Sequence, residues 1–180
     1  VYIDNIRFTG PDGSSERPIR VLDDMDEPAA ISGWQNYGRD EDKGVTSTSL
    51  DTTSGQDGKA LQLTYSFSRG AIDDWVVMER DWGRNIAGSD SFRFRYKGTG
   101  DVNNLELRVR DKNGTVFFKK IYHVTDTSGE WKTANIPYKE LSLLTAGTYS
   151  NGDIAETLDL RKVEAIIFMV SKGDGGSGSL

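Results

Sequence analysis

Leu105-Glu106-Leu107-Arg108-Val109-Arg110, then Asp111-Lys112-Asn113-Gly114, then Thr115-Val116-Phe117-Phe118-Lys119-Lys120-Ile121-Tyr122-His123-Val124 read as strand, turn and strand. Apolar and charged side chains alternate in the first run with the period of two that gives an extended chain one dry and one wet face. The leucines and Val109 face one way, and Glu106, Arg108 and Arg110 face the other. Asn-Gly accepts the positive φ angles of a tight primed turn, so the spacing predicts a hairpin. The return strand is less regular: Phe117 and Ile121 share one face, Phe118 and Tyr122 the opposite one. Both of its sides carry aromatics, so one side need not be core.

The same pattern extends outward along the chain. In Phe92-Arg93-Phe94-Arg95-Tyr96-Lys97 the aromatics are expected to face the core and the cations to face out. Ala165-Ile166-Ile167-Phe168-Met169-Val170 reads as a strand buried on both faces. Further strands are expected near 1–8, 19–25, 45–49, 59–67, 74–80 and 131–136, separated by Gly, Asp, Asn and Ser turns. Helix is a minor component: Tyr138 to Ala146 could form about two turns after a proline, and Leu158 to Lys162 one turn. Thr9 to Pro18 is a polar, turn-rich linker or exposed loop. The prediction is an all-β protein, a single domain over 1–180.

Composition narrows the function. A net charge of -6 opposes binding to nucleic acid, which needs a cationic surface. No apolar run approaches the ~20 residues of a bilayer-spanning helix. The absence of a leader before Val1 carries no weight about export. With no cysteine and one histidine, His123, a metal site would have to be built from oxygens, which suits calcium.

Several stretches carry a family resemblance in order. Val21-Leu22-Asp23-Asp24-Met25-Asp26-Glu27 followed by Gly33-Trp34 resembles the opening strand of carbohydrate-binding modules with a galactose-binding-like jelly-roll fold. Gly58-Lys59-Ala60-Leu61-Gln62-Leu63, Phe94-Arg95-Tyr96-Lys97-Gly98-Thr99-Gly100 and Gly129-Glu130-Trp131, continuing to Ile136-Pro137-Tyr138, are similar to later strands of the group. Tyr2-Ile3-Asp4-Asn5-Ile6 resembles its closing strand, here placed ahead of the opening one. The chain resembles family 11 of these modules, and the complex-I-intermediate-associated type of domain. The resemblance implies a jelly-roll β-sandwich of two antiparallel sheets in which the first and last strands lie side by side. Residues 1–8 would then be the closing strand of this domain, by circular permutation, or of a preceding module. Crossing of that strand to a second molecule would make a strand-swapped dimer.

The resemblance also implies a structural calcium, with Asp4, Asp24, Asp26 and the Lys59 carbonyl as candidate ligands and Asp57 as an alternative. A solvated acidic strand end is the plainer alternative. Trp34 and Tyr37 sit in a polar stretch, Gln35 to Asp42, where an exposed ring could stack on the apolar face of a sugar. Trp75 and Trp82 could each be core plug or ligand platform, and Trp131 reads as structural. Glu106, Arg108 and Arg110, beside Tyr122 or His123, could floor a sugar groove, because guanidinium forks and carboxylates bond vicinal hydroxyls directionally. Cross-strand ion pairs on a wet face are the alternative. No nucleophile elbow and no compact glucanase motif is present. The function expected is non-catalytic binding of a polysaccharide, a β-glucan chain, which targets an attached glycoside hydrolase outside the cell. A protein-interaction module of the same fold is the alternative. Neither membrane nor nucleic acid is an expected partner.

Overall fold

The computed structural model describes residues 2–9, 20–23, 25–26, 30–41, 46–56, 58–67, 74–100, 102–121, 129–172 and 177–179. The alternating runs become strands whose dry faces meet. One sheet runs β10 (Lys132–Pro137), β7 (Ser91–Lys97), β1 (Tyr2–Thr9) and β5 (Lys59–Phe67). Along its length β2 (Arg20–Asp23) joins β1, while β4 (Thr46–Ser54) and β15 (Ser177–Ser179) join β5. The other sheet runs β11 (Ser142–Thr145), β9 (Val116–Ile121), β8 (Asn103–Asp111), β14 (Val163–Lys172), β6 (Trp75–Arg84) and β3 (Trp34–Gly38). A short hairpin of β12 (Gly147–Thr148) and β13 (Ile154–Ala155) lies apart from both. Every pairing between these strands is antiparallel, and the architecture is a jelly-roll β-sandwich.

The first sheet gives the core Ile3, Leu61, Leu63, Phe92 and Phe94, and the second gives Met78, Leu105, Leu107, Ile166 and Phe168. The two inner faces meet where Phe94 stands edge-on to Phe168, their ring centroids 4.9 Å apart. Such aromatic pairs add about 0.5–1.5 kcal/mol beyond their burial. As expected from the alternation, Phe92, Phe94 and Tyr96 are buried, while Arg93 is exposed and Arg95 and Lys97 are half-buried.

β1 pairs antiparallel with β2, matching Ile6 to Asp23, Arg7 to Val21 and Phe8 to Arg20. The closing-type strand therefore lies beside the opening one within one molecule. β15 sets Ser177, Gly178 and Ser179 opposite Ser66, Tyr65 and Thr64, and β1 sets Tyr2 and Ile3 opposite Gln62 and Leu61. The two ends of the chain thus follow one another along a single edge of β5, with only the Leu63 position between them.

Three local expectations change. The hairpin turn has a positive φ at Gly114 (81°), and Asn113 has none. Gly114 N donates to Asp111 O at 3.0 Å, so the connection is a three-residue loop ending in a left-handed glycine, the bulged alternative to a primed turn. The stretch from Tyr138 is a single 3-10 turn, Tyr138–Glu140, followed by β11 rather than helix. Leu141 is buried there and Leu143 pairs with Phe117, so the open edge of β9 outcompetes two turns of isolated helix. The polar stretch after Trp34 is also a strand, β3, taken up by the edge of β6.

Candidate functional site

Residues directly opposite across a ladder share a face, so the register assembles the outer surface of the second sheet row by row. One row is Gln35, Glu79, Ile167, Arg108 and Phe118, and the next is Tyr37, Val77, Met169, Glu106 and Lys120. Asp81, Ala165 and Arg110 lie in a row on one side of these, and Trp75 and Ser171 on the other. Val77, Ala165, Ile167 and Met169 are buried and form a second apolar cluster on the side away from the core, with Trp75 packed against it. An apolar floor on an outward face is unusual for an antiparallel sheet that would otherwise present polar groups to water.

Around that floor stand the aromatic and charged groups. Tyr37 is exposed, and its ring meets Trp75 edge-on at 6.1 Å. With Val77, Arg108, Ile167 and Met169 they line a cleft of about 250 Å³. Tyr37 donates its hydroxyl to Glu79 Oε2 at 2.6 Å. Burial, and then the hydrogen bond and negative charge of Glu79, push the Tyr37 phenol up to about 12, so it is a protonated donor throughout the ordinary pH range. Arg110 lies 2.9 Å from Glu79 and 3.3 Å from Asp81 and Glu164. Burial alone would lower its pKa, but the three carboxylates outweigh that and raise it. Arg108 and Lys120 both hold Glu106, at 2.9 and 3.4 Å. The carboxylates are thus fixed as acceptors and the guanidiniums as donors, an arrangement able to meet sugar hydroxyls without rearranging.

The structure brings together Tyr37, Trp75, Glu106, Arg108 and Arg110. It removes Trp34. That ring is buried in the core beside Phe168, at 6.0 Å, because β3 begins on its inward-facing residue and alternation turns Tyr37 outward. Trp34 therefore offers no ligand platform. Trp131, by contrast, is not part of the core. It is half-buried on the outer side of the first sheet, edge-on to Tyr2 at 6.2 Å. Tyr122 and His123 lie outside the described residues. Sequence reasoning missed Glu79, Val77, Ile167 and Met169. The run through 165–170 reads as core on both faces, and only the register shows that its alternate residues floor an open cleft.

Of the candidate calcium ligands, Asp24 and the alternative Asp57 lie outside the described residues. The others converge. Asp4 is fully buried. Asp26 Oδ1 accepts from the Lys59 backbone N–H at 2.8 Å. A Cβ placed on Gly55 would stand 2.8 Å from the Lys59 carbonyl oxygen and 3.0 Å from Asp4 Oδ2. One on Gly58, at φ 101°, would collide with Asp26 Oδ1. The glycines leave a cradle closed by hard oxygens, the donor chemistry that calcium takes. Between the carboxylate positions, buried Met25 holds a left-handed φ of 63°, a conformation costing about 1–3 kcal/mol that its fixed surroundings must sustain. Among the described residues no group of three or more acidic or imidazole side chains is placed to hold a metal ion.

A β-sandwich with an aromatic-walled, polar-rimmed groove across one open sheet defines a carbohydrate-binding module, a class that binds without catalysing. The family model for the carbohydrate binding domain of family 11 matches residues 11–179, and the chain belongs to that family. Among solved structures it is similar to the family 11 module from Clostridium thermocellum in complex with a beta-1,3-1,4-mixed-linked tetrasaccharide. The identity is 18%, over 98% of this chain and 91% of that one, with a TM-score of 0.65. It also resembles the family 11 module of a cellulosomal cellulase of the same organism, at 19% identity, 86% coverage of each chain and a TM-score of 0.60. A module specific for non-crystalline cellulose shares the fold at 15% identity, covering 85% of this chain and 84% of that one, with a TM-score of 0.51. No curated protein matches the chain by sequence. No helix among the described residues is long and apolar enough to cross a membrane.

Proposed function

We propose that the groove on the second sheet binds a single soluble β-glucan chain, and that the module holds an attached glycoside hydrolase to that substrate outside the cell. The observation that carries this reading is the apolar floor of Val77, Ile167 and Met169 beneath Tyr37, Trp75 and Arg108. A pyranose ring has an apolar C–H face and an equator of hydroxyls, so it needs a ring to stack on and fixed donors and acceptors beside it. Tethering then raises the local substrate concentration seen by the attached enzyme, with no new catalytic contact. The mixed-linked tetrasaccharide held by the Clostridium thermocellum module supports a β-glucan as the ligand.

Affinity electrophoresis against soluble β-glucans, xyloglucan, xylan and mannans tests the proposal. Mixed-linkage β-glucan is expected to retard the protein, and mannan is not. Migration unchanged by every polysaccharide would overturn it.

The Asp4, Asp26 and Lys59 cradle is proposed to hold a structural calcium ion, completed by further oxygens. An ion bound only by the folded state stabilises it by mass action, about 2.7 kcal/mol at one hundred times its dissociation constant. Chelation by EDTA is therefore expected to lower the melting temperature of the wild type. Asp4→Ala should melt lower still and show no response to calcium. A wild type that melts identically with and without EDTA would remove the ion from the reading.

A further inference from the structure

The outer face of the first sheet has a different chemistry. Along β7 its outward residues are Arg93, Arg95 and Lys97 in succession. In register, Arg7 on β1 stands directly opposite Arg93, and Tyr2 stands opposite Lys97. Like charges directly opposite one another across a ladder are unfavourable. Cations often guard an exposed sheet edge, but β7 lies between β10 and β1 and has no edge to guard. Arg7, Arg93, Phe94 and Arg95 line a small cleft. At the end of the stripe Lys97 Nζ sits 4.4 Å from the Tyr2 ring centroid and 5.3 Å from that of Trp131. Opposite Arg95 the register sets Asp4, which is fully buried. Four cations thus share one surface of a chain whose net charge is -6.

We propose that this stripe is a second glycan-binding surface, one that takes acidic polysaccharide through its carboxylate or sulfate groups. Guanidinium forks match planar and tetrahedral oxyanions with two parallel hydrogen bonds, which isolated ammonium groups do not. The Tyr2 and Trp131 rings beside Lys97 supply the apolar surface on which a sugar ring rests, and which a bare anion would not use. A polynucleotide fits less well, because its dense charge meets the repulsion of the whole acidic molecule. The surface lies on the opposite side of the sandwich from the Tyr37 groove, so the two are separable by mutation.

The test is affinity electrophoresis of the full chain in gels holding polygalacturonate or a sulfated galactan, each mobility being referred to a ligand-free gel. The wild type is expected to be retarded by at least one of them, and added salt should release it. Retardation by only one polymer identifies the carboxylate or the sulfate as the group recognised. Arg93→Glu changes an exposed side chain, and is expected to reduce the retardation at least fivefold while leaving retardation by neutral β-glucan intact. Lys97→Ala should reduce it less. Four results would overturn the proposal: no retardation by either polyanion, equal retardation of Arg93→Glu, loss of retardation in Tyr37→Ala as well, or equal Arg93-dependent binding of single-stranded DNA.

Discussion

Tyr37→Ala and Trp75→Ala each weaken binding of mixed-linkage β-glucan by about 5- to 150-fold, the range set by 1–3 kcal/mol for losing a central aromatic contact. The two rings meet at 6.1 Å, so each holds the other's orientation. The double variant is therefore expected to lose less than the sum of the single losses. Tyr37→Phe separates stacking from hydrogen bonding. It keeps the ring and removes the donor to Glu79, leaving that carboxylate its ion pair with Arg110. Arg108→Ala removes the cation on the opposite wall and releases Glu106 to Lys120. Both tyrosine variants are expected to lower the melting temperature by a few degrees at most, because the hydrogen bond to Glu79 is worth about 0.5–1.5 kcal/mol net. Isothermal titration with a mixed-linkage oligosaccharide reads all of these. Wild-type affinity in both Tyr37→Ala and Trp75→Ala would show that the ligand lies elsewhere.

The fold was legible because its signal is local. Alternation at 92–97 and 105–110 assigns faces without reference to any partner strand, and the structure keeps those faces. Trp34 and Tyr37 read alike in the sequence because the stretch between them is polar, and polarity alone does not separate a loop from an edge strand. Once β3 pairs with β6, a shift of three residues decides which aromatic is core and which is site. The apolar floor was hidden for a related reason. A continuous run such as 165–170 says that both faces are dry, but not whether the second is covered by protein or by flanking side chains around a groove. Asp4 and Asp26 were identified through family likeness. Their convergence with Lys59 joins three segments that share no local pattern, so spacing alone could not have shown it.

Asp111→Ala is expected to be the most damaging single change outside the hydrophobic core. The sequence presents this residue as the first of a turn, Asp-Lys-Asn-Gly, and nothing more. In the structure its side chain is fully buried and accepts three backbone hydrogen bonds. Oδ1 takes the N–H groups of Asn113 and Thr115 at 2.8 and 3.0 Å, and Oδ2 takes that of Asp159 at 2.9 Å. Asn113 O in turn accepts from Thr148 N, and Lys112 N donates to Lys162 O. One carboxylate thus fastens the β8–β9 turn to the segment leading into β14, whose strand forms the floor of the groove. Alanine strands three donors, each costing about 1–3 kcal/mol when buried without a partner, less whatever water can repay by entering the space. A loss of about 3–5 kcal/mol follows, or roughly 10 °C in melting temperature for a domain of this size. Asp111→Asn keeps one acceptor oxygen but turns an amide towards Asp159 N–H, so an intermediate loss is expected. Thermal denaturation of the two variants checks the ranking. An Asp111→Ala protein melting within two degrees of the wild type would show that water or a shifted loop replaces all three bonds, and that the turn does not depend on its carboxylate.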